Sequence, residues 1–149
     1  MALLYSMFID LNLDEVMSHF KVKDKYHCKI KSKKDKSKLI KKVQEVIRKH
    51  KIQHTDHEFN RAIGNACHHG KAPIECDMSV GKHNEFLCII RDSGSGFNFK
   101  DTIAKFEQGE KYFQFHGYGM RTYASNKHVQ VGWTDEGKTI ALIYNVKSK

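Results

Sequence analysis

Apolar residues recur at helical spacing in two segments of the first half of the chain. The first segment covers residues 38–50, where apolar positions recur every three or four residues and lysines lie between them. The apolar residues there are Leu39, Ile40, Val43, Val46 and Ile47. This spacing predicts an amphipathic helix whose start Asp35 or Ser37 can cap.

A second helix is predicted from Thr55 or Asp56 to His69. Its buried stripe would consist of Phe59, Ile63, Ala66 and Cys67. Gly70 is suited to end this helix, and Pro73 prevents it from continuing.

Strands are predicted where apolar and polar residues alternate, or where a short apolar run is bounded by turn residues. The segments are YHCKIKS (26–32), IECDMSV (74–80), EFLCIIRD (85–92), HVQVGWT (128–134) and KTIALIYNV (138–146). The turns GKHN and DEG would join the last four into two hairpins. Shorter helices are expected at 13–20, within 100–115 and at 120–127, whereas residues 2–9 suit a strand or a short helix. This order predicts an α+β two-layer sandwich, with helices covering one face of a mostly antiparallel mixed sheet.

Length and composition are consistent with one domain that has its own core. The chain has 149 residues, of which 40% are hydrophobic, and no apolar run reaches the roughly 18 residues that span a bilayer. The first residues have no basic stretch before the apolar one, which argues against a signal peptide. Four cysteines at wide, irregular spacings favour free thiols. We therefore expect a cytoplasmic protein without a membrane partner.

Positive charge is concentrated in residues 21–51, which hold 14 Lys/Arg and 3 Asp/Glu, a net charge of +11. This stretch suits an acidic partner or nucleic acid, although a solvated lysine-rich helix face is the commoner explanation. Few aromatic residues interleave the lysines, so base stacking is not favoured and nucleic acid is an unlikely partner. All ten glycines follow residue 63, so chemistry that needs close backbone approach is expected in the second part of the chain.

Four short motifs in that second part suit nucleotide chemistry. Asn65 lies near the end of the second helix in NACHHG, and Asp92 opens DSGSGF directly after a predicted strand. A GYG follows at 117–119, and GKT at 137–139 enters the last strand. A carboxylate beside glycines can accept the exocyclic amine of adenine, and an asparagine oxygen is a hard ligand that suits Mg²⁺. A GxG before a helix offers backbone N–H groups to phosphate.

The order and spacing of these motifs resemble the histidine-kinase-like ATPase superfamily, which includes sensor histidine kinases and gyrase. The anti-sigma-factor serine/threonine kinase branch is the most similar. RAIGNACHHG matches the family's N box from Asn65 to Gly70, DSGSGF its G1 box, GYG its G2 box, and GKT its closing element. The resemblance covers about residues 26–147.

The resemblance implies an ATP-binding signalling protein that binds Mg·ATP beneath a flexible lid at 98–116 and transfers phosphate to a partner. Asp92 would hold adenine with help from Thr139, and Asn65 would coordinate Mg²⁺. The residues bordering the nucleotide would be Gly94, Gly96, Gly117, Gly119 and Met120. Lys100, Lys105, Lys111 or Arg121 would neutralise phosphate charge. The implied partner is a regulatory protein of the sigma-factor, anti-sigma-antagonist or response-regulator type.

The chain departs from the family at the general base, a glutamate four residues before the asparagine. Arg61 occupies that position, and a guanidinium cannot accept a proton at neutral pH. Glu58 lies about 10 Å from Asn65 along the helix axis at roughly 1.5 Å per residue and is better placed to pair with Arg61. The catalytic residue is therefore unassigned, and a nucleotide-sensing module with little or no turnover is the alternative to a kinase. A basic nucleic-acid-binding protein, in which the glycines only form turns, is a third possibility.

Two further expectations concern the histidines and the N-terminal residues. Cys67, His68 and His69 follow one another on a helix and point in different directions, so they do not suit a shared metal. The family match divides the chain into an extension at 1–25, a candidate dimer or partner face, and an ATP-binding domain at 26–149.

Overall fold

The computed structural model describes residues 8–108 and 118–147. Six strands form one sheet: β1 (Phe8–Asp10), β2 (Val22–Ile30), β3 (Ile74–Gly81), β4 (Phe86–Arg91), β5 (Val129–Thr134) and β6 (Thr139–Tyr144). Their order across the sheet is β1-β5-β6-β4-β3-β2. β1 runs parallel to β5, and the other neighbouring pairs are antiparallel. The predicted mixed, mostly antiparallel sheet is confirmed.

Five α-helices accompany the sheet within the described residues. They are α1 (Leu13–Met17), α2 (Lys36–His50), α3 (Glu58–His69), α4 (Phe99–Glu107) and α5 (Tyr118–Ala124). Short 3₁₀ turns precede α2 at Lys33–Asp35 and join β5 to β6 at Asp135–Gly137. None of these helices is both long enough and apolar enough to cross a membrane.

The predicted stripes of α2 and α3 form most of the helix side of the main core. Leu39, Val43 and Val46 of α2 are buried, as are all four predicted residues of α3. These side chains meet alternate residues of the sheet, such as Cys76, Cys88 and Leu142, together with buried residues of α4 and α5. The α+β class with helices packed on the sheet is therefore confirmed.

A smaller apolar cluster lies on the opposite face of the sheet. Val16 and Phe20 cover Leu87, Ala141 and Ile143 there. The two-faced burial explains why β4 and β6 consist almost entirely of apolar residues, since a strand covered on both faces loses its polar alternation.

Several helix ends differ from the prediction. Ser32 caps the 3₁₀ turn through the amide of Lys34, whereas Asp35 makes no side-chain capping bond at α2. The left-handed helix end occurs after α2, at Lys51, and Gly70 ends α3 with extended backbone. Helix α3 begins at Glu58, α1 ends at Met17, and α5 is shifted towards the N-terminus relative to 120–127. Side-chain periodicity specifies the middle of a helix better than its ends.

Residues before 26 belong partly to the common sheet. β1 pairs with β5, and β2 begins at Val22, inside the predicted extension. The proposed role of residues 1–25 as a dimer or partner face stays a prediction, and residues 1–7 lie outside the described part.

Candidate functional site

The end of α3 and the end of β4 meet at Gly70 and Asp92. The Gly70 amide donates to the carbonyl oxygen of Ala66, which closes the last turn of α3. A methyl group on Gly70 would collide with the carboxyl carbon of Asp92 and lie 2.6 Å from the Ala66 oxygen. The Asp92 carboxylate therefore packs directly against the Gly70 backbone. The fold thus joins the last residue of NACHHG to the first residue of DSGSGF.

One oxygen of the Asp92 carboxylate is occupied and the other is not. Oδ1 accepts a 2.7 Å hydrogen bond from the backbone amide of Gly94, a turn geometry that Asp and Asn both favour. No hydrogen bond or ion pair within the described chain involves the second oxygen, and the side chain is only half-buried. Asp92 can therefore accept a hydrogen bond from a ligand without losing its structural contact.

The glycine loop after Asp92 is held against the turn between β5 and β6. The Phe97 amide donates to the Glu136 carbonyl oxygen at 2.9 Å, and the Asp92 amide to that of Lys138 at 3.0 Å. Gly96 has a φ of 79°, and any side chain on it would collide with the Glu136 oxygen. On the other side, the Ser93 amide donates to the Lys71 carbonyl oxygen at 2.8 Å. The loop is therefore fixed to both the C-terminal end of α3 and the last hairpin.

Asn65 lies beside Tyr123 of α5. The Tyr123 side chain is 2% exposed, and its hydroxyl makes no hydrogen bond of good geometry in the described ranges, although the Asn65 side chain lies within reach of it. Burial raises the pKa of Tyr123 well above its ordinary value, while the nearby Asn65 amide and Arg61 guanidinium act in the opposite direction. The Tyr123 hydroxyl is therefore buried against Asn65, the residue predicted to face the metal.

Asn65 and Asp92 lie on the same side of the sheet. Asn65 precedes Gly70 by five residues, about 7.5 Å along the helix axis at roughly 1.5 Å per residue. Asn65 faces α5, and Asp92 contacts the end of α3. The two predicted site residues therefore belong to the same region of the fold.

The structure does not bring Thr139 to Asp92. Side chains alternate along a strand, so Thr139 shares its face with Ala141 and Ile143, which belong to the smaller cluster. Thr139 is buried there, opposite Thr134 in the pairing of β5 with β6. The neighbour of Asp92 on this strand is Lys138, through its backbone. The predicted support of Asp92 by Thr139 does not fit this geometry.

Of the other residues predicted to border the nucleotide, Gly94 lies beside Asp92, whereas Gly119 and Met120 lie within a helix. Gly94 contacts both Asp92 and Gly70, because a side chain on it would meet the Asp92 oxygen at 2.9 Å and the Gly70 α-carbon at 3.2 Å. Gly119 and Met120 lie inside α5, not in a loop before it, and the Met120 side chain is buried in the main core. Gly117 lies outside the described residues.

The predicted pairing of Glu58 with Arg61 is wrong. Glu58 is 1% exposed, and its Oε1 accepts from the Tyr144 hydroxyl at 2.8 Å, the Asp56 amide at 3.1 Å and the Asn126 amide group at 3.2 Å. Arg61 is exposed and makes no ion pair with a described carboxylate. Glu58 anchors the start of α3 to β6, so it is not free to act as a general base.

Two candidate phosphate ligands already have carboxylate partners. Lys100 lies 3.2 Å from Asp10 of β1, and Lys105 lies 3.1 Å from Asp101 on the same helix. Lys111 falls outside the described ranges, as does the second part of the predicted lid. The first part of the segment predicted to be a lid forms α4, whose buried Phe99 stacks on Trp133 with ring centroids 6.0 Å apart.

Tyr123 and Gly70 are the contacts that sequence reasoning missed as site residues. Met120, Tyr123 and Ala124 have the spacing of a buried helix stripe, and a hydroxyl in such a stripe is a signal that a polar partner is needed. The importance of Gly70 is visible only once α3 and β4 are placed together. From the sequence alone, Gly70 is sufficiently explained as the residue that ends α3, so nothing indicates its contact with Asp92.

The expectation that Cys67, His68 and His69 do not share a metal stays a prediction. His68 and His69 are both exposed, with ring centroids 6.1 Å apart. Over residues 8–108 and 118–147, no three His, Cys, Asp or Glu side chains converge as metal ligands would. Cys67 is buried in the main core, as predicted.

No family model matches the chain, and no curated protein or solved structure matches it.

A substitution pair on α3 tests the contact between Gly70 and Asp92. We expect Gly70→Ala to lower the free energy of unfolding by about 1–3 kcal/mol, the usual cost of overpacking, because the Asp92 carboxyl must move. Urea unfolding measures this change. The matched control is Gly64→Ala on the same helix, where a methyl group meets nothing within 4 Å. It should stabilise by about 0.5–1 kcal/mol, as Ala does over Gly inside a helix. Equal effects of the two substitutions would contradict the contact.

Proposed function

We propose that this chain is an ATP-binding regulatory protein that binds Mg·ATP between α3, α5 and the loop after β4. The observation that carries the proposal is the half-free Asp92 carboxylate, packed against the end of the helix that presents Asn65. The motif order supports the same conclusion through its resemblance to the histidine-kinase-like ATPases.

The geometry of Asp92 suits the purine. A carboxylate oxygen that has no partner in the described chain is a suitable acceptor for the exocyclic amine of adenine. Guanine carries a carbonyl oxygen at the equivalent ring position. This acceptor would repel the carboxylate, so the site is expected to prefer adenine.

The Asn65 side chain suits the coordination of Mg²⁺ bound to the phosphates of the nucleotide. An amide oxygen is a suitable ligand for Mg²⁺, which is usually held by few protein groups together with phosphate and water. Bound Mg²⁺ would supply charge neutralisation for the triphosphate. Asn65 would orient that end of the nucleotide, and the buried Tyr123 beside it would hold the Asn65 side chain in place.

The groups around Asn65 favour nucleotide sensing over rapid turnover. Arg61 cannot remove a proton from an attacking hydroxyl, and Glu58 is held by three hydrogen bonds. The exposed Arg61 guanidinium instead suits a charge contact with the γ-phosphate. We therefore infer that the chain is a switch whose affinity for a regulatory protein depends on whether the chain has bound ATP or ADP. Slow phosphate transfer to that protein would require a catalytic base in addition.

Thermal unfolding with nucleotides tests the proposal. Mg·ATP at about 100 times its dissociation constant should add about 2.7 kcal/mol of stability by mass action. For a chain of this size that corresponds to about 5–10 °C in melting temperature. Mg·GTP at equal concentration should give a much smaller rise. No rise with either ATP or ADP would contradict the proposed function. Release of labelled γ-phosphate in the same samples separates a kinase or ATPase from a sensing module.

A further inference from the structure

The outer edge of β2 is the end of the sheet in the described chain, because β3 is its sole strand neighbour there. An edge strand presents unpaired backbone N–H and C=O groups along one side. We propose that this edge binds an acidic segment of a partner polypeptide, which adds to the sheet as a further strand. The proposal does not rest on the nucleotide site. Asp24 of β2 lies opposite Val80 of β3, which lies opposite Phe86, at the other end of β4 from Asp92.

The solvent face of β2 carries a row of basic side chains at every second position, the first of which lies where the pairing with β3 shifts by a β-bulge between Val22 and Asp24. These exposed residues are Lys23, Lys25, His27 and Lys29. His27 and Lys29 are partly compensated by β3, at 2.6 Å from Asp77 and 3.6 Å from Glu75. Lys23 and Lys25 have no ion-pair partner anywhere in the described ranges. The half of the strand that begins at Val22 therefore carries uncompensated positive charge.

The helix side of β2 is also basic. The ammonium groups of Lys42 and Lys49 of α2 each lie 5.7 Å from the centre of the Tyr26 ring. The Tyr26 hydroxyl is hydrogen-bonded to His50 at 2.5 Å, and the same imidazole lies 3.7 Å from Asp24. An added strand would thus have basic groups above and below it, so glutamates on either of its faces would find partners.

A second copy of this chain is a poor occupant of the edge. Two β2 strands side by side would bring lysines of the same row against each other, and like charges on neighbouring strands are destabilising. An acidic strand reverses this repulsion while using the same backbone groups. The lysines therefore select the partner as well as discourage self-association.

Nucleic acid is also less suitable than an acidic strand. The aromatic ring available at this edge, Tyr26, is covered by two lysines and bonded to His50, so it does not offer a free stacking surface. Base stacking on exposed aromatic rings is the usual source of affinity for single strands. The backbone N–H and C=O groups at the outer edge of β2, by contrast, can form a ladder of hydrogen bonds only with an extended polypeptide.

Fluorescence anisotropy with a defined peptide tests the proposal. The probe is a labelled, capped peptide in which glutamate alternates with threonine or valine, titrated at about 50 mM salt, where surface charges are weakly screened. Replacing Lys23, Lys25 and Lys29 together by glutamate should weaken binding by about 30-fold or more, since exposed charge pairs contribute modestly but add up. The matched control replaces Lys105, Lys127 and Lys147 by glutamate; these lysines are exposed and lie outside β2, β3 and α2. It has the same net charge and should change affinity by less than about threefold.

Two further probes decide between the occupants. A peptide of equal charge with prolines at two central positions cannot form the backbone ladder and should bind at least about tenfold more weakly. Equal binding of the proline peptide, or no binding of either peptide, would overturn the proposal. Tighter binding of duplex DNA or oligouridylate than of the strand-forming peptide, lost in the β2 variant alone, would assign the surface to nucleic acid and overturn it as well. Nucleotide-induced stabilisation should survive in the β2 variant, which keeps this outcome separate from that of the ATP site.

Discussion

Asp92→Asn is expected to abolish the stabilisation by Mg·ATP while leaving the fold intact. Asparagine can keep the bond from the Gly94 amide through its own oxygen, and it is as suitable as aspartate in such a turn. Its other group is then an NH₂ donor where the carboxylate offered an acceptor, so the adenine amine would face a donor. The expected loss is the whole ATP-dependent rise of about 5–10 °C. Differential scanning fluorimetry with and without Mg·ATP measures it.

Asp14→Asn provides the matched control for this experiment. Asp14 is exposed on α1, and α1 covers the opposite face of the sheet. The control has the same change of charge and should keep the full response to ATP. If Asp92→Asn kept that response as well, Asp92 would not be the adenine acceptor, and the proposed site would have to be abandoned.

Glu58→Ala should produce the largest loss of stability among the variants considered. The fully buried Tyr144 hydroxyl and the Asp56 backbone amide would lose their acceptor, and the Asn126 side-chain amide would keep only its bond to the His54 carbonyl oxygen. A buried group without a partner costs about 1–3 kcal/mol, and the two other lost bonds add to it, so we expect a loss of about 3 kcal/mol. That is about 6–12 °C in melting temperature for a chain of this size. Urea unfolding monitored by Trp133 fluorescence measures the free energy directly.

Two control variants show whether the hydrogen bonds cause this loss. Glu58→Gln keeps an acceptor oxygen at nearly the same place and should cost only about 1 kcal/mol. Glu45→Ala removes an exposed glutamate of α2 and should change stability by no more than about 0.5 kcal/mol. A Glu58→Ala variant as stable as Glu45→Ala would show that Glu58 does not anchor α3 to β6.

The parts of the fold that could be predicted depend on side-chain periodicity. The stripe of α3 and the alternation of β3 are repeated often enough to specify each element and its buried face. The strand order could not be predicted, because pairing such as β1 with β5 depends on contacts between distant segments that local patterns do not encode. β2 begins before the strand predicted at 26–32, because Asp24 occupies an inward position where the strand pattern requires an apolar residue.

The candidate site was predictable in part. Asn65 and Asp92 stand out as polar residues at the ends of regular elements, and the structure places both on the helix side of the sheet. Thr139 shows the limit of reading motifs without strand phase. A shift of one residue along β6 moves a side chain to the opposite face, so a nearby threonine in the sequence is not a neighbour in space. Glu58 shows a second limit, since its partners are contributed by loops and strands far along the chain.

The glycine loop that follows Asp92 has a consequence for ligand affinity. Glycine-rich loops usually lose conformational freedom when a ligand orders them, at roughly 1–2 kcal/mol per residue of backbone. Here the amides of Asp92, Ser93 and Phe97 are already bonded to Lys138, Lys71 and Glu136. The loop is preorganised, so ordering accompanies folding of the chain and need not be repeated when a small molecule arrives. A weak set of direct contacts can then give useful affinity.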